Sequence, residues 1–277
     1  MLPFRVLYFF SDIIYYILYY IVGYRKKVVF GNLKLAFPEK SEKEITTIAK
    51  KFYHHFVDVF GVEMIKSFTM STKEMAKRYQ GINIEIFDKL YDQGRSSIVV
   101  GAHHANWEWI FNFNVLIKYN VYAVFKKLKN PYFDKKIRET RGRFNTTLIS
   151  TKETFAVVKK NSETNTTSLF GFISDQTPRL GKAQYWSEFL GVRVPMQIGV
   201  EVLAKKYDLA VIFYDAKKIK RGYYECTLRL LTDSPKDFKD YELTDLYFRE
   251  VEKQIKNAPE HYLWTHKRFK HVGKEPK

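Results

Sequence analysis

The sequence predicts an α/β protein: a mainly parallel, mixed sheet flanked by helices, with a membrane-associated helical N-terminus. Three observations predict it. From residue 97 onward, short runs rich in β-branched and aromatic residues alternate with helical stretches, the pattern of βαβ units. A long amphipathic helical segment precedes them. Ahead of that, residues 4–23, "FRVLYFFSDIIYYILYYIVG", form an apolar run about as long as a bilayer is thick.

In chain order, the N-terminal run comes first. Arg5, Asp12 and five tyrosines interrupt it, and no small-residue cleavage site follows, which argues against a signal peptide. It can span the membrane or lie in the interface. Arg25, Lys26 and Lys27 follow directly, so under either reading the rest of the chain belongs on the cytoplasmic, anionic face of the membrane. "SEKE" at 41–44 is a capping box, and Ile45, Ile48, Phe52, Phe56, Val59 and Phe60 then recur at helical spacing, with His54 and His55 on a half-buried polar flank. Further helices are expected at 71–80 and 84–92. Strands are expected at 97–102, 121–126, 146–150, 168–174, 209–215 and 223–231, the last as an antiparallel edge. Helices are expected between them near 106–118, 132–144, 152–161 and 196–207, then at 242–257. The chain shows no repeat and no low-complexity linker. Residues 1–24 therefore read as a membrane-associated helix, and 25–277 as a single α/β domain with a helical N-terminal part.

Composition narrows the function. The 277 residues carry 47 Lys plus Arg against 30 Asp plus Glu, a formal charge of +17 that draws the protein to polyanions. The positive charge is spread along the chain, with no helix-turn-helix, RNA-binding sheet motif or zinc finger, so a nucleic-acid partner is not expected and a non-catalytic basic binding protein is disfavoured. The 20 Tyr and 23 Phe suit a protein working near lipid headgroups, or simply a Tyr-rich core. One cysteine, Cys226, excludes an intramolecular disulfide and a Cys-based zinc site.

"GAHHANWEWI" (101–110) carries the chemistry. His103 and His104 fall at the carboxyl end of a strand, where open α/β sheets collect ligands, and Asn106 can cap a helix that would hold Glu108 in its first turn. On one straight helix His103 and Glu108 would point ~140° apart; across a strand-to-helix turn they can meet. A carboxylate against an imidazole fixes its tautomer and frees the other nitrogen as a general base. By spacing alone, packing of a turn histidine explains the pair better than catalysis does. There is no nucleophile elbow, so activation of a substrate hydroxyl for direct attack is favoured over a covalent intermediate. A metal site is the weaker alternative, since adjacent histidines on a turn diverge and no carboxylate cluster accompanies them.

"HHANWE" resembles the H-x-x-x-x-[DE] motif of the bacterial lipid A late acyltransferases, the lauroyl and myristoyl transferases within the lysophospholipid acyltransferase superfamily. "YRKKVVFGNLKLAFPEKSEKE" (24–44), "KNPYFDKKI" (129–137), "ISDQTP" (173–178), "FLGVRVPMQIGVEVLAKK" (189–206) and "PEHYLWTHKRFK" (259–270) resemble other segments of that family in the same order. The resemblance implies a glycerolphosphate acyltransferase-like αβα fold, with His103 as general base, Glu108 as its orienting partner and His104 as a supporting residue. It also implies substrate-binding roles for Asp175 and for Arg141 or Arg143, between which the sequence does not choose. Ala105 departs from the family's common Gly, and Lys126-Lys127 from a frequent arginine. The implied reaction moves a fatty acyl chain from a thioester, usually on acyl carrier protein, to a hydroxyl of a lipid A precursor at an anionic membrane surface. It needs no metal and no organic cofactor. An aminoacyl lipid or a lysophospholipid is the alternative acceptor.

Overall fold

Period-two burial along "SIVVG" sets the centre of the architecture: Ile98 and Val100 point into one apolar layer and Val99 into the other. The computed structural model describes residues 2–126 and 130–276, so Lys127 and Lys129 of the segments above lie outside the described residues. The chain begins with α1 (Phe4–Tyr16), continued by a π-helical stretch over Ile17–Val22, then α2 (Lys26–Ala36) and α3 (Glu42–Val57). A second π-helical stretch, Asp58–Glu63, leads into the short α4 (Met64–Ser67) and α5 (Thr72–Arg78). Next come β1 (Tyr79–Ile82), α6 (Glu85–Asp92), β2 (Ser97–Gly101), β3 (Asn120–Phe125), α7 (Pro131–Gly142), β4 (Thr146–Ser150), α8 (Thr154–Glu163) and β5 (Ser168–Ile173). The hairpin β6 (Trp186–Phe189) and β7 (Val192–Pro195), α9 (Gly199–Tyr207), β8 (Ala210–Lys220), β9 (Tyr223–Thr232) and α10 (Glu242–Asn257) follow.

Seven strands lie in the order β1-β9-β8-β2-β5-β3-β4. From β8 to β4 every neighbouring pair is parallel, and β9 turns back antiparallel to β8. Residues of α2, α3, α8, α9 and α10 cover one face of the sheet, and residues of α5, α6 and the segment 105–119 cover the other. This is the expected α/β fold with helices on both sides of a mostly parallel sheet.

Local chemistry explains several elements directly. The Ser41 hydroxyl accepts from the Glu44 amide (3.3 Å) and the Glu44 carboxylate accepts from the Ser41 amide (2.9 Å), the expected capping box of α3. The helix Phe4–Val22 has 19 residues, long and apolar enough by composition to cross a membrane. Tyr8, Ser11, Tyr15 and Tyr19 bury one side of it, whereas Phe9, Phe10, Ile13, Ile17 and Ile21 are exposed. Arg221 ties it down, its guanidinium donating to Asp12 on the helix (2.6 Å) and to Asp58 beneath (2.7 Å).

Other elements differ from the sequence reading. The helix expected at 106–118 is a 3₁₀ stretch, Trp109–Val115, because aromatic and asparagine side chains are poor helix formers and the buried Asn114 amide donates to the Thr146 hydroxyl (2.7 Å). The helix expected at 71–80 stops at Arg78, and Tyr79 opens a strand. That strand pairs with β9, so "YYECTLRLL" is antiparallel to its predecessor but is not the edge. The β6–β7 hairpin falls inside a stretch with no expected element.

Candidate active site

The site begins with strand register. Gly101 of β2 pairs with Ile173 of β5, and each chain runs two residues further before its functional side chain. His103 and Asp175 are thus delivered side by side at the carboxyl ends of adjacent parallel strands, where open α/β sheets bind ligands. His103 Nδ1 lies 2.7 Å from Asp175 Oδ1, and Asp175 is 1% exposed. Burial alone would raise the Asp175 carboxyl, but the His103 imidazole and the hydrogen bonds around it outweigh that cost and hold the pKa below the usual carboxylate value. With an ionised partner at Nδ1, the neutral ring carries its proton there, which leaves the Nε2 lone pair free. Nε2 lies 3.5 Å from the Gln176 amide nitrogen.

The turn carrying His103 is fixed from several sides. A Cβ on Gly101 would run into the Tyr214 ring, so only glycine lets that ring pass. The Tyr214 hydroxyl donates to the Ala102 carbonyl and the Tyr247 hydroxyl to the Gly101 carbonyl, both at 2.8 Å. Ala105 has φ 51°, a left-handed conformation that glycine would adopt more readily. The Ala105 amide donates to the His261 carbonyl and the Leu263 amide to the His103 carbonyl, both at 3.0 Å, so residues 261–263 clamp the turn. The His104 ring is buried with its nitrogens 3.2 Å from the Ala216 carbonyl and 3.0 Å from the Ala258 carbonyl. Burial lowers its pKa, and it packs rather than faces the site.

Glu108 does not serve the imidazole as the spacing suggested. Its carboxylate pairs with Arg141, with Oε1 2.6 Å from Nη2 and Oε2 3.4 Å from Nε, because α7 brings the guanidinium across the turn while Asp175 already occupies Nδ1. The pair is 12% and 15% exposed, and the Arg141 guanidinium lies 4.8 Å over the Phe111 ring. Arg143 is elsewhere: it donates to the carbonyls of Ser67 (2.8 Å), Phe68 and Met70 (both 3.2 Å). It therefore joins α7 to the α4–α5 connection and does not line the cavity.

That cavity has a volume of about 700 Å³. His103, Trp107, Glu108, Arg141 and Gln176 form its polar end. Phe111, Phe125, Ile137, Phe155, Phe172 and Val202 supply apolar wall. Val99, Gly171 and Ala123, register partners across β2, β5 and β3, make a floor of small side chains. The arrangement can hold an alkyl chain with its reactive end at a general base. Among the described residues, no group of three or more His, Cys, Asp or Glu could hold a metal ion.

A profile of bacterial lipid A biosynthesis acyltransferases matches residues 1–271. The chain belongs to that family. The lipid A biosynthesis lauroyltransferase of Escherichia coli (strain K12) is 24% identical to this acyltransferase over 247 residues, 89% of this chain and 79% of the relative. The crystal structure of the 1-acyl-sn-glycerophosphate (LPA) acyltransferase PlsC from Thermotoga maritima aligns with a TM-score of 0.43 and 15% identity, covering 93% of this chain and 98% of that one. Membership makes the chain a transferase of acyl groups in lipid A and lipopolysaccharide biosynthesis, and its apolar N-terminal helix fits the membrane association of that work.

The sequence reading did not single out Gln176, Tyr214 or Tyr247 in this acyltransferase. Gln176 stood in plain sight beside Asp175. The two tyrosines act through their hydroxyls on backbone carbonyls more than 100 residues away, a relation with no local signal.

Proposed function

We propose that this acyltransferase moves a fatty acyl chain from acyl carrier protein to a hydroxyl of a lipid A precursor, at the cytoplasmic face of the inner membrane. The observation that carries the reading is the His103–Asp175 pair, with the free Nε2 at the head of a largely apolar cavity. His103 takes the acceptor's hydroxyl proton as the oxygen attacks the thioester carbonyl. The tetrahedral intermediate then expels the thiolate, which recovers the proton from the imidazolium. Asp175 holds the ring and stabilises its cationic form, in support of a general base typically worth ~10²–10⁴ in rate. Arg141, held by Glu108, offers its remaining N–H groups to a phosphate of the acceptor. The charge of +17 favours both an acidic carrier protein and a phosphorylated lipid. Lauroyl transfer by the Escherichia coli relative supports a fatty acyl donor. Arg25, Lys26 and Lys27, next to the N-terminal helix, favour the cytoplasmic leaflet.

The test is mass spectrometry of total lipids from cells with and without the gene, followed by the purified protein with acyl-acyl carrier protein and the lipid that changed. A lipid A species gaining one acyl group is expected. A gain confined to a phospholipid or an aminoacyl lipid would reassign the acceptor.

A further inference from the structure

Glu63 closes the second π-helical stretch, is fully buried, and has no part in the proton transfer described above. Its Oε1 accepts from the Tyr8 hydroxyl of α1 (2.8 Å), and its Oε2 accepts from the Tyr224 hydroxyl (2.8 Å) and the Asn106 amide (2.7 Å). Its carbonyl accepts from the Trp109 indole (3.3 Å). Burial pushes the carboxyl up, and the Tyr224 and Tyr8 hydroxyls pull it back. Three donors and no acceptor face the two oxygens, the environment of a carboxylate.

Asn106 continues the chain of contacts. Its Oδ1 accepts from the Trp109 amide (3.1 Å), which fixes the turn holding His103 and Trp107, and the Trp107 ring meets the His103 ring edge-on at 5.3 Å. Helix α1 makes a second contact with the same π-helical stretch: the Ser11 hydroxyl donates to Asp58 (2.8 Å), which pairs with Arg221 and reaches the turn only by a longer route, across 3.9 Å to Lys218 and then through His55 to the Ala105 carbonyl. Such π-helical insertions concentrate at functional sites. We propose that Glu63 is a positioning residue that ties the membrane helix α1, through Tyr8, to the Asn106 turn carrying His103, so that docking of the helix sets the geometry of the base. The proposal rests on the reading of His103 as that base.

The relay is tested in the full chain with Tyr8→Phe, Glu63→Gln and Ser11→Ala. Loss of one hydrogen bond to a buried carboxylate should lower kcat about tenfold in Tyr8→Phe, with KM and membrane retention unchanged. Ser11→Ala removes an equivalent contact from the same helix but not from the relay, and should keep kcat within about twofold. In a Glu63→Gln background, Tyr8→Phe should add little, since both act through one group. Modification of His103 by diethyl pyrocarbonate, followed by peptide mass spectrometry, needs no substrate and should quicken about threefold or more in Tyr8→Phe as the turn loosens. Unchanged kcat and unchanged modification in Tyr8→Phe overturn the proposal, as does an equal loss in Ser11→Ala. If the wild-type chain transfers no acyl group while the modification rate still responds to Tyr8→Phe, the proposed reaction fails and the relay stands.

Discussion

Nδ1 of His103 and Oδ1 of Asp175 lie 2.7 Å apart because Gly101 and Ile173, two residues before each, are register partners on adjacent parallel strands. Orientation of the His103 ring is thus a property of the sheet, not of the H-x-x-x-x-E spacing.

Replacing Asp175 by Asn keeps shape but offers Nδ1 an N–H and favours the wrong tautomer. Acyl transfer by Asp175→Asn is expected to fall ~10²–10⁴-fold in kcat. Glu108→Gln, which leaves the Asp175 contact intact, should lose less. Steady-state kinetics on both variants, with circular dichroism to verify folding, decide the matter; the reverse ranking would return the orienting role to Glu108.

Arg141 and Arg143 separate into activity and stability. Arg141→Gln leaves Glu108 unpaired in the cavity wall and is expected to cost about tenfold or more in kcat/KM. Arg143→Gln gives up donors to three carbonyls outside the cavity, so Tm should drop about 2–4 °C at unchanged kcat. Equal kinetic losses in the two variants would contradict this division.

Gly171 sits at the middle of the small-residue floor, and a Cβ there would meet only the Tyr122 carbonyl, at 3.7 Å. Gly171→Leu should therefore fold, fill the apolar end of the cavity and shift transfer toward shorter chains. Mass spectrometry of products from a mixture of donor chain lengths reads the effect. An unshifted distribution would mean that the chain lies elsewhere.

Acid should destabilise the fold through its buried histidines, His55 and His104, both lowered by burial, and two more. Burial lowers His261 to about 3, helped by His104 and Lys218, and burial lowers His266 to about 4, with Asp175 opposing. Unfolded histidine titrates near ~6.5, so between that value and the native ones the unfolded chain binds protons the native chain refuses. Stability is accordingly full above ~6.5 and lost as pH falls toward 4. Thermal melts across this range should show it, with a shallower fall in His261→Phe; a flat profile would remove His261 from the account.

Much of the fold could be read locally. The capping box at Ser41 and the alternating strands from 97 to 215 follow from side-chain chemistry and burial period, and the sheet places them as read. Relations between distant segments had no such signal. Asp175 meets His103 across 72 residues of chain, and Tyr79 finds Tyr224 through a parallel pairing that neither segment announces. Arg141 and Arg143 stand ~200° apart around one helix, so only one can face the cavity, but which one depends on how α7 is rolled against the sheet. The segment 106–118 has apolar spacing fit for a helix; its buried polar side chains decided otherwise, with Asn114 held by Thr146 of β4 and Asn106 by Glu63.

The clamp of the His103 turn by residues 261–263 has a consequence for synthesis. His103, Asp175 and the segment that holds the turn come from three widely separated stretches, and the last of them leaves the ribosome after all the strands. A chain that has already received all its strands still lacks the backbone partners of His103 and Ala105. The turn at 103–105 therefore gains these backbone partners only once residues 261–263 have joined the chain.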